Sequence, residues 1–172
     1  MRFEGLAYRA HDPRWSFKPL SGDGAGVHGG RFNPKGNPAL YVALDPMTAI
    51  KETAQGFARK LEPGVLCRYE IDCEDVIDLR TKARRKAEGV SEEGIARAWF
   101  ADAAAGREPP SWRLARGLTG RGAAGLLAPS YVNGASAGDA NLVLWRWSGR
   151  LPHKVSVFDP SGRLPKNQLS WE

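Results

Sequence analysis

The amino-acid sequence predicts an α+β fold, and two observations lead to that prediction. Strand patterns and helix patterns do not alternate along the chain as they would in a doubly wound sheet. The 172 residues fit one compact domain, and they contain no internal repeat, low-complexity tract or long linker. We therefore expect residues 1–172 to form a single α+β domain.

The first half of the chain begins with two predicted strands that flank a long loop. Residues 6–10 and 38–44 have the bulky apolar residues of strands. The segment 12–37 between them is rich in glycine and proline. A loop of this length is uncommon in a compact domain unless it has a function.

A helix is predicted directly after the second strand. Asp45 is a suitable N-cap and Pro46 suits the first helical position. The apolar residues that recur at steps of three and four are Met47, Ile50, Ala54, Phe57 and Leu61. Glu52 lies about 140° from Met47 and Phe57 around the helix, so we expect it to lie off the buried stripe.

The second half is predicted to be rich in strands, with two helices. One helix should begin at Ser91, with acidic residues in its first turn, and end at Gly106. Another should begin at Ser111 as its N-cap. The predicted strands cover residues 65–72, 76–79, 126–128, 141–147 and 155–158.

The charge balance favours an anionic partner. The formal net charge is +6 and the pI is about 9.6. A dinucleotide, a nucleic acid or an acidic protein would each suit this charge. The densest basic run is predicted to be a solvated face, and it consists of Arg80, Lys82, Arg84, Arg85 and Lys86.

Metal and membrane chemistry are not predicted. Cys67 and Cys73 have no second Cys/His pair at zinc spacing, and the three histidines are scattered. No apolar run is long enough to cross a bilayer, and the N-terminus has no export signal. We therefore expect a cytoplasmic protein without a metal.

Two short motifs match catalytic or binding patterns but lack the required context. The Gly-x-Gly-x-x-Gly motif at 24–29 has no strand before it and no helix after it, which a dinucleotide fingerprint needs. The Gly-x-Ser-x-Gly motif at 134–138 is followed by a strand pattern rather than a helix. Neither a Rossmann fold nor a serine hydrolase is therefore predicted.

The segment from Gly29 to Glu52 combines residue types that suit cleavage of a sugar–base bond. Arg31 follows two glycines and offers a planar fork for phosphate. Tyr41 offers a flat face and a hydroxyl. Glu52 could stabilise positive charge that develops on a sugar in an oxocarbenium-like transition state. The same residue types also brace turns, pack or lie in solvent, so their spacing alone leaves the function open.

Several sequence blocks, in order, resemble the RES domain, a family named after an Arg, a Glu and a Ser. The resemblance extends from Tyr8 to about Leu164. The matching blocks are Tyr8-Arg9, the run Gly29-Gly-Arg-Phe-Asn-Pro-Lys-Gly36, Pro38-Ala-Leu-Tyr41, Thr48-Ala-x-x-Glu52, Gly125-Leu-Leu-Ala-Pro-Ser130 and Asn141-Leu-Val-Leu-Trp145.

The resemblance implies a toxin of a toxin–antitoxin pair that consumes NAD+ as a substrate, with no metal or prosthetic group. It implies a fold like that of ADP-ribosyltransferase toxins, with a mixed, mainly antiparallel β core flanked by helices. The enzyme would break the nicotinamide–ribose bond and pass ADP-ribose to water, phosphate or a protein side chain. The implied partner is an Xre-type helix-turn-helix antitoxin in a hetero-oligomer, and direct DNA binding is not expected.

The resemblance also assigns roles to individual residues. Arg31 would hold the NAD+ phosphates, and Tyr41 would pack on the nicotinamide or ribose. Glu52 would stabilise the oxocarbenium ion or activate the acceptor. Further contacts with NAD+ are implied for Ser130, Arg9 and Asn141.

Two departures from the family pattern leave the acceptor open. Many members have a His a few residues after the Glu, whereas residues 53–57 contain none. Phe32 stands where many members have Trp. One alternative is a basic nucleic-acid-binding module, which the charge and the six tryptophans favour, although no helix-turn-helix, zinc or RNA-recognition pattern is present. Another is a non-catalytic partner of a regulator.

Overall fold

The computed structural model describes residues 1–54 and 62–171, and a seven-stranded sheet forms its centre. The sheet order is β4-β5-β6-β2-β1-β3-β7, and every pair is antiparallel except β4 with β5. This mixed sheet confirms the predicted α+β class. The strands are β1 (Phe3–His11), β2 (Leu40–Ala43), β3 (Val65–Cys73), β4 (Val76–Asp78), β5 (Gly125–Pro129), β6 (Ala140–Leu144) and β7 (His153–Val157).

Six short α-helices accompany the sheet in the described residues. They are α1 (Asp23–His28), α2 (Pro46–Ala54), α3 (Lys82–Ala87), α4 (Glu92–Ala96), α5 (Trp99–Ala104) and α6 (Pro110–Gly120). The Gly-x-Gly-x-x-Gly motif lies almost wholly inside α1, which is preceded by a turn rather than a strand. The Gly-x-Ser-x-Gly motif lies in the loop between β5 and β6. Neither motif therefore has the structural context of a Rossmann dinucleotide site or of a serine-hydrolase nucleophile.

The hydrophobic core is divided between the two faces of the sheet. Alternate residues of a strand point to opposite faces, and β6 shows this with three fully buried residues. Leu142 and Leu144 belong to one cluster, and Val143 belongs to the other. The cluster of Val143 includes Ile95 of α4 and Leu118 of α6, so these helices cover that face.

The start of α2 is formed as predicted. The Asp45 side chain accepts hydrogen bonds from the backbone N–H groups of Met47 at 2.9 Å and Thr48 at 3.1 Å. These two bonds satisfy donors that the first helical turn leaves without partners. The cap therefore sets where the helix that carries Glu52 begins.

The predicted apolar stripe of α2 is wrong at its first residue. Met47 is 58% exposed. The helix instead lies with a face of small side chains against the sheet, which allows close approach to β1. The buried residues of this face are Thr48, Ala49 and Ala54. Phe57 and Leu61, which the prediction also placed on the stripe, lie outside the described residues.

The predicted helix from Ser91 to Gly106 is two helices, α4 and α5. Ser91 caps α4 as expected, because its hydroxyl accepts from the Gly94 N–H at 3.1 Å. The helix ends at Arg97, where the backbone becomes extended with ψ of 145°. The carbonyls at this break accept hydrogen bonds from Arg31, a long-range interaction that the local pattern could not indicate.

The predicted cap of α6 at Ser111 is also wrong. The helix begins at Pro110, and Ser111 is a buried residue of its first turn. Proline suits the first helical position because its missing N–H is not needed there. The preceding residue, Pro109, takes the N-cap position without a side-chain bond.

The basic run around α3 is tied into the protein. The carboxylate of Asp78 is almost fully buried and pairs with Arg80 at 2.7 Å and with Arg84. Arg85 is itself buried, and it donates to the Leu79 carbonyl at 2.9 Å and pairs with Glu92 at 3.0 Å. The prediction of a solvated face is therefore wrong for Arg85. Three of the five basic residues in the run are thus paired within the protein, and fewer remain to bind an anionic partner than the sequence suggests.

Candidate active site

The Glu52 carboxylate lies where three parts of the chain meet. Its Oε1 accepts a hydrogen bond from the Ser130 hydroxyl at 2.6 Å and from the Asn141 amide at 2.5 Å. Glu52 is on α2, Ser130 follows β5, and Asn141 is on β6. β5 and β6 are paired neighbours, with Asn141 opposite Ala128. Strand pairing therefore brings both donors to the same oxygen, and no described residue donates to Oε2.

Two cavities meet at Glu52. The larger is a cleft of about 610 Å³ and the smaller has a volume of about 190 Å³. Tyr41, Glu52 and Asn141 line both of them. The residues that also line the larger cleft include Arg31, Trp99, Phe100, Tyr131 and Asn133. Those that also line the smaller cavity include Tyr8, Arg9 and Thr53.

Arg31 is held at the C-terminal end of α4. Its Nη1 donates to the carbonyls of Ile95 at 2.8 Å, Ala96 at 3.1 Å and Arg97 at 2.7 Å. The guanidinium carbon lies 4.7 Å from the centre of the Tyr131 ring, which is a cation–π contact. The carbonyl end of a helix is its negative end and stabilises a cation there. Nη2 and Nε have no partner among the described residues, so they could bind an anion in the cleft.

Burial lowers the pKa of the Arg31 guanidinium from its ordinary value, and nearby Tyr131, Glu52 and Tyr41 oppose this effect. An arginine keeps its charge at neutral pH even in a partly buried place. The side chain therefore brings a permanent positive charge to the wall of the cleft.

The Tyr41 hydroxyl organises the glycine-rich segment. It accepts a hydrogen bond from the Phe32 N–H at 2.9 Å and donates to the Asn33 side chain at 2.7 Å. Burial raises the pKa of the Tyr41 phenol well above its usual range, so it stays neutral. Its ring lines the two cavities, but its hydroxyl is used within the protein rather than offered to a ligand.

Asn33 is an organising residue that the sequence reasoning missed. It is 1% exposed, and its amide donates to the carbonyls of Ala25 and Asn37, each at 2.8 Å. These bonds hold the turn that follows Arg31 in place. An asparagine between glycines and prolines is a turn signal, but its burial could not be seen in the sequence.

The glycine before Arg31 is required by close packing. A Cβ added at Gly30 would lie 2.6 Å from both the Tyr41 hydroxyl and the Asn33 side-chain oxygen. The Gly30 carbonyl accepts from the Trp112 indole N–H at 2.7 Å. Glycine is therefore needed next to Arg31 because the Tyr41 and Asn33 side chains approach its Cα closely, and not because it belongs to a dinucleotide motif.

Arg9 lies at the smaller cavity. It is on β1, and its Nη1 donates to the Ser21 carbonyl at 2.8 Å. Burial lowers the pKa of its guanidinium from the ordinary value.

All six sequence-predicted residues are therefore gathered around the two cavities, with Ser130 contacting Glu52 directly.

Aromatic residues of the larger cleft were also missed by the sequence reasoning. Trp99 and Phe100 come from α5, and Tyr131 follows Ser130. Phe100 is 65% exposed, which is unusual for a phenylalanine. The only signal for Tyr131 was its position directly after the family serine.

The described residues contain no metal-binding cluster. Across 1–54 and 62–171, no group of three or more His, Cys, Asp or Glu side chains is arranged to hold a metal ion. Within the same ranges, no helix has both the length and the apolar character needed to span a membrane.

Comparisons with known proteins agree with the fold and with the extent of the resemblance along the chain. The model of the RES domain family matches residues 6–167. No curated protein matches the sequence. A chain from the crystal structure of the M. tuberculosis MbcT–MbcA toxin–antitoxin complex has the same fold, with a TM-score of 0.63 and 22% identity. The match covers 92% of the present chain and 84% of that chain. The protein belongs to the RES domain family.

Proposed function

We propose that the chain acts as one domain over residues 1–172 and is a toxin that cleaves the nicotinamide–ribose bond of NAD+. The observation that carries this proposal is the Glu52 carboxylate, which is fixed by Ser130 and Asn141 at the junction of two cavities. A carboxylate held in this way is suited to stabilising a sugar cation. Family membership supports NAD+ as the substrate.

The proposed reaction is dissociative. The bond between ribose C1′ and the pyridinium nitrogen breaks, and its electron pair goes to the nitrogen, so nicotinamide leaves as a neutral molecule. The positive charge moves to the ribose as an oxocarbenium ion, which the negative charge of Glu52 stabilises. An acceptor oxygen then bonds to C1′ and releases its proton.

The sizes of the cavities suggest how NAD+ lies in the site. The smaller cavity of about 190 Å³ suits a single ring with its amide, next to Tyr41. The larger cleft of about 610 Å³ suits the ADP-ribose part, whose phosphates would lie near Arg31. In this orientation the bond that breaks lies beside Glu52, where the cavities meet.

The reaction and its acceptor can be tested together. Purified protein is incubated with NAD+ labelled in the adenine, with and without inorganic phosphate and a host lysate. Nicotinamide, ADP-ribose, ADP-ribose 1-phosphate and labelled protein are followed in one experiment. The proposal predicts nicotinamide release, and the other products show which of water, phosphate and protein accepts the ADP-ribose. A folded protein that releases no nicotinamide in any mixture contradicts the proposal.

We also propose a cytoplasmic partner, an Xre-type helix-turn-helix antitoxin that covers the cleft. The related fold was solved as part of a toxin–antitoxin complex, and Phe100 is largely exposed on the cleft lining. Co-expression of a candidate antitoxin should restore growth and block nicotinamide release. Phe100→Asp should weaken the complex, whereas unchanged binding would place the antitoxin elsewhere.

A further inference from the structure

We infer that the ion pair between Lys51 and Asp139 positions Glu52 against Ser130 and Asn141, so that Lys51 and Asp139 are positioning residues of the site. The activity part of this inference rests on the proposed function. The structural part rests only on contacts among described residues.

Asp139 connects the three parts of the chain that form the Glu52 site. Its carboxylate lies 2.8 Å from the Lys51 ammonium on α2 and accepts from the Ser136 N–H at 3.0 Å. Its backbone carbonyl accepts from the Ser130 N–H at 2.8 Å. Lys51 directly precedes Glu52. Asp139 thus contacts the helix that carries Glu52, the loop between β5 and β6 at Ser136, and Ser130, which donates to Glu52.

The strand side of this arrangement is fixed independently of the ion pair. Asp139 directly precedes β6, whose first residue, Ala140, accepts at its carbonyl from the Leu44 N–H at 2.9 Å. Asn141 is paired in the sheet with both Ala43 and Ala128. The sheet therefore holds this strand in place, and the ion pair connects α2 to the strand directly beside Glu52.

The pair is sheltered enough to hold the helix. The side chains of Lys51 and Asp139 are 32% and 15% exposed, so solvent screens their attraction less than that of a surface pair. Hydrogen bonds from Lys51 and the Ser136 amide lower the pKa of the Asp139 carboxyl below its usual range. The carboxylate is therefore charged at neutral pH.

Lys51 acts on Glu52 through the helix and not by contact. Consecutive residues point about 100° apart around a helix, so one side chain reaches Asp139 while the next reaches Ser130 and Asn141. Loss of the pair should let α2 shift at this turn. A displacement of about 1 Å at a reacting group can lower a rate about a hundredfold.

The test compares Lys51→Met and Lys51→Arg by the kcat and KM of nicotinamide release from NAD+. Lys51→Met should lower kcat about tenfold or more and leave KM within about twofold, because substrate binding uses other residues. Lys51→Arg keeps the charge and should restore kcat to within about threefold of wild type. Unchanged kcat in Lys51→Met, or an equal loss in both variants, would overturn the inference.

Asp72→Asn is the matched control. It removes the Arg2–Asp72 ion pair, which has a distance of 2.6 Å and connects the residue just before β1 to β3, away from the Glu52 site. It should leave kcat and KM unchanged. A loss of kcat like that of Lys51→Met would show that removal of any ion pair has this effect, and would overturn the inference.

A second readout does not need activity. The ¹³Cδ resonance of Glu52 is measured in ligand-free protein labelled at glutamate and assigned through Glu52→Gln. The resonance should shift in Lys51→Met, return in Lys51→Arg and stay in place in Asp72→Asn. A resonance that does not move in Lys51→Met overturns the positioning role even if the wild type proves inactive on NAD+. If the resonance moves in Lys51→Met but the wild type does not cleave NAD+, the positioning role is supported and only the proposed reaction is rejected.

Discussion

At the scale of single residues, Tyr41 shows how one side chain can serve both the fold and the site. Its ring lines the two cavities. Its hydroxyl accepts from Phe32 and donates to Asn33, so both of its ordinary hydrogen-bond roles are filled inside the protein. The hydroxyl therefore contributes mainly to the shape of the segment that carries Arg31.

Tyr41→Phe tests this division of roles by stability. Removal of the hydroxyl leaves the Phe32 N–H and the Asn33 oxygen without a partner, and each unsatisfied buried group costs about 1–3 kcal/mol. The free energy of unfolding, measured in urea, should fall by at least about 2 kcal/mol. Tyr8→Phe is the control, since no described residue bonds its hydroxyl. Equal unfolding free energies for wild type and Tyr41→Phe would contradict this account.

At the scale of elements, two tryptophans hold the segment on either side of Arg31. The Trp112 indole N–H on α6 donates to the Gly30 carbonyl at 2.7 Å. The Trp145 indole N–H, just after β6, donates to the Phe32 carbonyl at 2.9 Å. The carbonyls before and after Arg31 are thus anchored to a helix and to the end of a strand.

Trp145→Phe should weaken substrate binding more than it slows chemistry. The change keeps a large ring but removes the N–H that holds Phe32, a bond worth about 1 kcal/mol. Looser placement of Arg31 should raise the KM for NAD+ about fivefold and leave kcat within about twofold, as measured by nicotinamide release. Trp15→Phe, at an exposed tryptophan whose ring stacks on Phe17, is the control. A lowered kcat with unchanged KM would show that Trp145 serves Glu52 and not Arg31.

Local patterns predicted the helix starts at Asp45 and Ser91, but not the start of α6 or the features that depend on distant residues. The caps at Asp45 and Ser91 are correct because they depend on residues two or three positions away. The break between α4 and α5 was missed because a distant arginine, Arg31, bonds the carbonyls there. The exposure of Met47 was missed because periodicity does not show which face a sheet will cover.

At the scale of the whole molecule, the site is assembled from distant parts of the chain. Glu52 and Asn141 are 89 positions apart in sequence, and Arg31 meets α4 after 64 positions or more. Residue spacing indicated suitable chemistry for Arg31, Tyr41 and Glu52, but the resemblance to a family was needed to add Ser130 and Asn141. The aromatic lining from α5 was not predicted, since only the fold brings α5 to the cleft.

The stability of the whole domain should depend on pH through His11. Its Nε2 lies 2.6 Å from the Tyr69 hydroxyl, and burial followed by the nearby charge of Arg9 lowers the pKa of His11 to about 4 from its ordinary 6.5. The unfolded chain therefore binds a proton between pH 6.5 and 4 that the folded chain does not. The stability contributed by neutral His11 is full above pH 6.5 and is lost as the pH falls toward 4.

Urea unfolding at a series of pH values measures this effect. The free energy of unfolding should fall by about 3 kcal/mol between pH 6.5 and pH 4. The slope should be much smaller in His11→Gln. Carboxyl groups such as Asp102 and Asp159 have pKa values below their usual range. The stability that their charged forms contribute is therefore lost mainly at lower pH than that of His11. Parallel pH profiles of wild type and variant would contradict this role of His11.

We propose above that Glu52 drives cleavage of the nicotinamide–ribose bond. The direct measurement is the rate of nicotinamide release from NAD+ by purified wild type and Glu52→Gln, with their melting curves recorded. Gln keeps an oxygen that can accept from Ser130 and Asn141 but lacks the negative charge. We expect release by the wild type and at least about a hundredfold slower release by a folded Glu52→Gln. Equal rates for the two proteins, or no release by folded wild type, would contradict it.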